Sequence, residues 1–238
     1  NRRGRTTTVT ARKEVALAAG AVHTPKLLML SGIGDRQHLE QVNVTSRVHL
    51  PGVGRNLQDH TFFPLFFNLN HPVSYRRQDA MSIASLADWA LLKSGVLSST
   101  LLEATGFFKT RKGLSVPDLQ LHLVISPGTK KDLENFGITQ EGMRWFRIVD
   151  GEHGFVILPT LLHPGKTGRV TLASSDPFAK PVIDPNYLDH HLDMATYLEG
   201  IKMVLKLART PALKEWTDGT LRVNWDECNT TKCGCPSR

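Results

Sequence analysis

The hydrophobic pattern predicts two β-strands near the start of the chain, at residues 9–12 and 15–19, on either side of the charged Lys13 and Glu14. The second segment is apolar at nearly every position. Such a run is typical of a strand that is covered on both faces, as in a parallel sheet. The sequence therefore predicts a buried strand at residues 15–19.

A short helix is predicted after this strand, within residues 20–34 (GAVHTPKLLMLSGIG). Thr24 is a favourable N-cap residue, and Pro25 suits the first helical position, where its missing N–H is not needed. Residues 26–30 continue the helix. Gly32 or Gly34 can supply the left-handed residue that ends it.

The remainder of the chain contains further strand and helix patterns. Continuous apolar or alternating residues predict four strands, at residues 62–68, 119–125, 155–161 and 169–172. Apolar residues at intervals of three and four predict two helices, at residues 82–93 and 193–210, and Pro211 closes the second. A parallel-type strand and helix are thus followed by strands of antiparallel character and a long helix. This order predicts an α+β fold with two lobes, the first of them incomplete.

Composition and charge exclude several classes of protein. The 238 residues carry a formal net charge of +7, but the basic residues form no stripe interleaved with aromatic residues, so we expect no nucleic-acid binding. No run approaches the roughly 20 apolar residues of a membrane span. The chain begins at Asn1 without a methionine or a signal segment, which leads us to expect an internal piece of a longer protein.

Three cysteines and two glycosylation sequons bear on the location of the protein. Cys228, Cys233 and Cys235 do not match common zinc spacings, so a disulfide pair, with the third cysteine bonded to a residue beyond Arg238, is expected rather than a metal site. Sequons begin at Asn43 and Asn229. Together these features favour, slightly, a secreted or lumenal setting.

No self-contained catalytic or metal site is evident from spacing alone. The glycine pairs at residues 32–34 and 52–54 lack the third glycine of a dinucleotide fingerprint, because Gln37 and Leu57 stand in its place. We therefore interpret both pairs as a helix stop and a loop turn. His163 precedes Pro164 as in a catalytic motif, but the local sequence favours a solvated turn.

Three segments carry a resemblance to a known family. Residues 20–34 resemble the second signature of the glucose–methanol–choline (GMC) flavin oxidoreductases, and residues 53–60 (VGRNLQDH) look like the next conserved segment of that family. Residues 168–188 (GRVTLASSDPFAKPVIDPNYL) are similar to the start of its C-terminal region. The three segments occur in the family's order, which makes the resemblance specific.

The resemblance implies FAD as the cofactor and a site at the small-residue turn. Ala19, Gly20 and Ala21 would let backbone amides approach the flavin nucleotide. An alternative is that these small residues only allow a strand and a helix to pack closely. Asn56, Asp59 and His60 are expected to line the same site, or else to cap the backbone locally.

The resemblance also implies a domain division and a GMC-type fold. Residues 1–60 would be part of an FAD-binding, Rossmann-like domain, and residues 61–238 a truncated substrate domain with a largely antiparallel sheet and flanking helices. The phenylalanines at its start would line the substrate pocket or fill the core: Phe62, Phe63, Phe66 and Phe67.

The expected reaction is oxidation of a small-molecule alcohol by hydride transfer to the flavin, with an unspecified electron acceptor. The family's glycine-rich phosphate motif and its catalytic His-Pro-x-Gly-Thr motif have no match here, so the catalytic base is expected beyond Arg238, and no residue of this chain is assigned a catalytic or metal-binding role. The chain alone is expected to bind FAD weakly or not at all, to turn over no alcohol and to aggregate readily. Two other interpretations remain: a non-catalytic binding or structural module, and a flavin-bearing hydroxynitrile lyase.

Overall fold

The computed structural model describes residues 7–147 and 152–222. The α-helices are α1 (Gly20–Leu30), α2 (Arg36–Gln41), α3 (Arg77–Ala80), α4 (Ile83–Ala87), α5 (Lys130–Asn135), α6 (Gln140–Met143), α7 (His191–Ala208) and α8 (Pro211–Lys214). The strands are β1 (Ile33–Gly34), β2 (Val48–His49), β3 (Arg55–Leu57), β4 (Thr61–Phe62), β5 (Leu65–Asn68), β6 (Leu102–Phe108), β7 (Leu119–Val124), β8 (Gly154–Leu161), β9 (Gly168–Thr171) and β10 (Val182–Asp184). A π-helical turn spans Asp88–Leu92, and a 3₁₀ turn spans Val96–Ser98.

The chain forms two compact units. The first contains the residues up to Gln58 together with Lys166–Tyr187, and the second contains Asp59–Gly165 and the residues from Leu188 onward. This differs from a division into residues 1–60 and 61–238, because Lys166–Tyr187 joins the first unit. The reason is the pairing of β9 with β3 and β10 in one antiparallel sheet.

The first unit has a small core beneath α1. Met29, Leu39 and Leu172 are buried together there. β1 and β2 form a short parallel pair, and the antiparallel sheet has the order β10-β9-β3.

The two strands predicted at residues 9–12 and 15–19 are wrong. Residues 7–19 have no strand in the structure, and the side chains of Val9 and Val15 are 86% and 75% exposed. A strand needs a neighbour for its backbone hydrogen bonds, and none of the described strands pairs with these residues.

The first helix begins earlier than the sequence predicts. α1 starts at Gly20, and Thr24 lies inside it, where its hydroxyl accepts a hydrogen bond from the Ala19 amide at 3.0 Å. The N-cap prediction for Thr24 is therefore wrong, and Pro25 is an interior residue of the helix. The prediction for Gly32 is confirmed: it has φ +85° just after the helix, and its N–H donates to the Met29 carbonyl.

The second unit is built around an antiparallel five-stranded sheet, with the order β4-β8-β7-β6 and with β5 also paired to β8. The strands predicted at residues 119–125 and 155–161 are confirmed as β7 and β8. The one predicted at residues 62–68 is divided at Pro64 into β4 and β5. β6 was not predicted, because its sequence LEATGFF neither alternates nor is continuously apolar.

Helices cover both faces of this sheet. α7 packs on one face, where Phe67, Leu119 and Val204 lie in the core, and residues of α5 and α6 pack on the other, around Phe66 and Leu133. The predicted helices are confirmed with shifted ends. α7 begins two residues earlier than predicted, and Pro211 is the first residue of α8 rather than only a helix stop.

The α+β class and the largely antiparallel second sheet are confirmed. Among the described helices, none is both long enough and apolar enough to cross a lipid bilayer.

Candidate functional site

The first unit contains a cleft of about 430 Å³ between the start of α1 and β3. Its walls come from α1, from the segment that includes β3, and from β9: Ala21, Thr24, Pro25, Leu28, Val53, Gly54, Arg55, Asn56, Leu57, Gln58 and Val170. Two residues predicted to bind the cofactor, Ala21 and Asn56, are thus brought to one cleft although 35 positions separate them in the sequence.

The N-terminus of α1 is well suited to bind a polar or anionic group. Ala19 is the N-cap residue and has no polar atom with which to cap the helix, and the first turn contains no acidic side chain. Among the described residues, no side chain caps the first-turn N–H groups, which lie at the positive end of an 11-residue helix and can act as donors.

Gly20 is required for a conformational reason. Its φ is +81°, which side-chain-bearing residues rarely adopt, whereas a Cβ at this position would meet no other atom within 4 Å. Space alone would admit a methyl group here. Gly20 therefore serves to turn the backbone into α1, and Ala21 follows it in the wall of the cleft.

β3 brings polar groups to the cleft. Asn56 has a left-handed backbone with φ +59°, and its side-chain oxygen accepts a hydrogen bond from Gln58 Nε2 at 3.2 Å. Arg55 also lines the cleft and was not predicted. Its position beside Asn56 in the VGRNLQDH segment was the available signal, but its exposure to the cleft depends on the pairing of β3 with β9.

Asp59 and His60 belong to the second unit and do not line this cleft. The Asp59 carboxylate accepts a hydrogen bond from the His60 amide at 2.9 Å, which is a local backbone contact. Their predicted role in binding the cofactor stays a prediction.

His60 has an electrostatic influence on the sheet of the second unit. Burial lowers the pKa of His122 on β7, and the electrostatic effect of the nearby His60 lowers it further. Beside His122, the side chain of Gln120 donates to the Thr105 hydroxyl at 3.0 Å. His122 and Gln120 are two residues apart on β7, so a neutral imidazole and a side-chain amide lie on the same face of this sheet.

The four phenylalanines at the start of the second unit are divided between the two faces of the sheet. Phe66 and Phe62 line a cavity beneath α5, although Phe66 is also part of the core on that side. Phe67 lies in the opposite core, stacked on Phe155 with the ring centroids 5.0 Å apart. Phe63 is exposed and tilted against Phe146.

Lys26 is a further residue that the sequence did not single out. It is buried within α1, and its ammonium group donates to the carbonyls of Pro177 and Ala179 at 2.8 and 2.7 Å. These bonds fix α1, and with it one wall of the cleft, to the segment between β9 and β10. The only feature of the sequence that could have indicated this role is the position of Lys26, a lysine inside an otherwise apolar helical segment.

Within residues 7–147 and 152–222, no group of three or more His, Cys, Asp or Glu side chains could hold a metal ion. Cys228, Cys233, Cys235 and Asn229 lie outside the described residues. His163 is exposed in the connection between β8 and β9, as the predicted turn requires.

Comparisons with known proteins identify the family. Residues 1–62 and 164–233 match the N-terminal and C-terminal regions that define GMC oxidoreductases, and together these matches span more than half of the chain. An uncharacterised GMC-type oxidoreductase of Mycobacterium tuberculosis is 36% identical over 214 residues, which are 89% of this chain and 37% of the relative. Glucose dehydrogenase (FAD, quinone) of Drosophila melanogaster is 35% identical over 217 residues, 90% of this chain and 33% of the relative.

Solved structures agree with this similarity. Formate oxidase of Aspergillus oryzae superimposes with a TM-score of 0.71 at 25% identity, covering 87% of this chain and 39% of the oxidase. The chain spans about a third of the length of the curated relatives it matches. It belongs to the GMC oxidoreductase family, and the predicted fold class and FAD cofactor are confirmed with that family.

Proposed function

We propose that this chain forms part of an FAD-dependent oxidoreductase that oxidises the CH–OH group of a small alcohol. The observation that carries the proposal is the cleft of the first unit, which Ala21 and Asn56 both line. Family membership gives the reaction class, and the cleft supplies a place for the cofactor within this chain.

The residues of the cleft fit a cofactor that has both phosphates and ring carbonyls. The N–H groups at the start of α1, which no described side chain caps, and the guanidinium of Arg55 suit anionic oxygen atoms. The side chain of Asn56 can donate to or accept from a polar ring edge. When bound, FAD supplies the acceptor for the hydride that leaves the alcohol carbon. In this chain, Ala21, Arg55 and Asn56 bind and orient that group.

A pair of matched substitutions tests this assignment. Ala21 and Ala212 are each the second residue of a helix, in α1 and α8, and both are exposed. A glutamate at either position favours the helix through its dipole, so neither substitution should unfold the protein. Ala21→Glu, however, places a negative charge in the cleft, where it would repel a phosphate.

The measurement is the FAD content of the protein produced from the complete reading frame around these residues. We expect Ala21→Glu to weaken FAD affinity about tenfold or more, by charge repulsion in the cleft, and Ala212→Glu to leave it unchanged. Equal FAD content in the two variants would contradict the assignment of the cleft.

The reaction is tested by adding alcohols to the flavin-loaded protein without oxygen. Bleaching of the visible flavin absorbance by an alcohol is the expected result. Cleavage of a cyanohydrin without bleaching would indicate a hydroxynitrile lyase, and a folded protein without flavin would indicate a binding module.

We also propose a secreted or lumenal location. Asn43 is exposed, with φ +58°, in the connection between α2 and β2, where a glycan would be accessible. A mass shift on treatment with a glycosidase, abolished by Asn43→Gln, is the expected result.

A further inference from the structure

The second unit contains a cavity of about 250 Å³ beneath α5 that the proposed cofactor site does not use. One wall is the face of the sheet that carries Phe66, Val124 and Leu158, and the other is the segment that contains α5. The lining is almost entirely apolar: Phe62, Pro64, Phe66, Leu101, Val124, Ser126, Gly128, Asp132, Leu133, Asn135, Phe136, Ile138, Val156 and Leu158.

The backbone is shaped around this cavity. Gly128 has φ +69°, and a Cβ there would lie 2.4 Å from the ring of Phe66, so this close passage over the ring requires glycine. At the mouth, Phe62 and Phe136 meet edge to face with their ring centroids 5.6 Å apart. Leu133 closes the interior and is 2% exposed.

Few polar groups of the lining are available to a ligand. Oδ2 of the Asp132 carboxylate accepts hydrogen bonds from the amide and the hydroxyl of Thr129, at 2.8 and 2.7 Å, in the cap of α5. Ser126 and Asn135 are the other polar side chains of the lining.

A hydrogen-bonding group lies beside the cavity on the same face of the sheet. His122 is the cross-strand partner of Leu158 and is two residues from Val124, and both neighbours line the cavity. Burial, and to a lesser extent the nearby His60, lowers the pKa of His122, so its imidazole is neutral at neutral pH and has a nitrogen that can accept a hydrogen bond.

We propose that this cavity binds the apolar body of a compact alcohol, of the size of one aromatic ring, with the hydroxyl directed toward His122. An apolar cavity of about 150 Å³ is enough to hold benzene, so about 250 Å³ admits a substituted ring. The hydroxyls of a sugar would be left unpaired against this lining. A quaternary ammonium is the competing ligand, because aromatic rings attract cations, so choline is titrated beside benzyl alcohol and its binding would overturn the inference. This inference names a substrate class and rests on the proposed function.

Binding can be measured on the 238-residue chain without flavin. Benzyl alcohol, glucose and choline are titrated while the leucine and valine methyl groups are followed by NMR. We expect benzyl alcohol alone to shift the methyl signals of the lining residues Leu101, Val124, Leu133, Val156 and Leu158. The methyl groups of Leu119 and Val204, in the core on the opposite face, should not move.

Two phenylalanine substitutions give a matched pair. Phe136 lines the mouth and is 63% exposed, whereas Phe107, on β6, is 56% exposed and does not line the cavity. Neither ring is buried, so both variants should fold. Phe136→Ala should weaken benzyl alcohol binding about fivefold or more, through loss of a ring contact, and Phe107→Ala less than about twofold.

The inference is overturned if glucose or choline shifts the lining methyl groups as strongly as benzyl alcohol does. It is equally overturned if Phe107→Ala weakens binding as much as Phe136→Ala. Because this assay contains no FAD, its result is separable from the test of the cofactor cleft. If Ala21→Glu leaves the FAD content unchanged while benzyl alcohol still binds, the proposed function is refuted and the cavity remains assigned.

Discussion

The carboxylate of Asp118 shows how one residue couples the fold to pH. It is 6% exposed and accepts hydrogen bonds from the amide and the hydroxyl of Thr110, at 2.8 and 2.6 Å, with Arg111 at 3.7 Å. Burial alone would raise the pKa of Asp118, but these hydrogen bonds and the charge of Arg111 outweigh it, so the pKa lies below the usual value. The group therefore contributes stability above the pKa of the unfolded chain, about 3.9, which is lost as the pH falls through the folded pKa.

Thr110→Val tests this account. The variant keeps the amide donor and removes the hydroxyl, so its free energy of unfolding at pH 7 should fall by about 1–3 kcal/mol. The difference in unfolding free energy between wild type and variant should narrow below about pH 4. Once the Asp118 carboxyl is protonated, its hydrogen bond from the hydroxyl is weaker, so removing the hydroxyl costs less stability. Urea unfolding at pH 7 and at about pH 3 measures both values. Thr110→Ser should behave as wild type, and a gap that is independent of pH would contradict the account.

At the scale of elements, the two glycines before β3 have different roles. Gly54 has φ +80°, and a Cβ there would lie 2.1 Å from the Val170 carbonyl oxygen on β9. Gly52 has no atom within 4 Å of such a Cβ. Gly54→Ala should therefore lower the free energy of unfolding by more than about 2 kcal/mol, and Gly52→Ala by less than about 1 kcal/mol. Equal urea midpoints for the two variants would show that β3 does not need this close approach.

Elements whose pattern repeats could be predicted from the sequence, and elements that depend on a distant partner could not. β7 and β8 were found because their alternating or apolar residues meet cores on both faces of the sheet. Residues 15–19 have an equally apolar pattern but no neighbouring strand among the described residues. The start of α1 was misplaced because the Thr24 hydroxyl binds back to Ala19 instead of capping a helix that begins after it.

The candidate site was predictable only as far as the local motifs extend. The resemblance placed Ala21 and Asn56 in one site, and the cleft contains both. Arg55 was missed because its exposure to the cleft follows from the strand register, in which it is the cross-strand partner of Arg169. Register depends on contacts more than 100 residues apart in the sequence, which no local pattern reports.

For the whole molecule, no single boundary in the sequence separates the two units, because the chain passes between them three times. The chain leaves the first unit after Gln58, returns at Lys166 and leaves again after Tyr187. The first unit is therefore complete only when β9 and β10 join β3. A division at residue 60 would remove two of the three strands of its antiparallel sheet, so the segment before residue 60 should not fold alone.

The sheet of the second unit ends, in the described part of the chain, in an open edge. β6 pairs only with β7, is mostly exposed, and carries Leu102, Phe107 and Phe108 on its surface. An exposed apolar edge strand is a template for pairing with another chain. We therefore expect the 238-residue chain to associate as its concentration rises, which light scattering after size-exclusion chromatography would measure.

A charge on this edge should reduce that association. Phe107→Lys places a strongly hydrated charge on the exposed edge strand β6, and a lysine on an edge strand disfavours the addition of a second copy's strand. Ala173→Lys, at an exposed position of the first unit, adds the same charge away from the edge. If edge pairing drives association, Phe107→Lys shifts the chain toward monomer and Ala173→Lys does not. An equal effect of the two substitutions would instead assign the change to net charge, since both raise the formal charge from +7 to about +8 by adding one lysine.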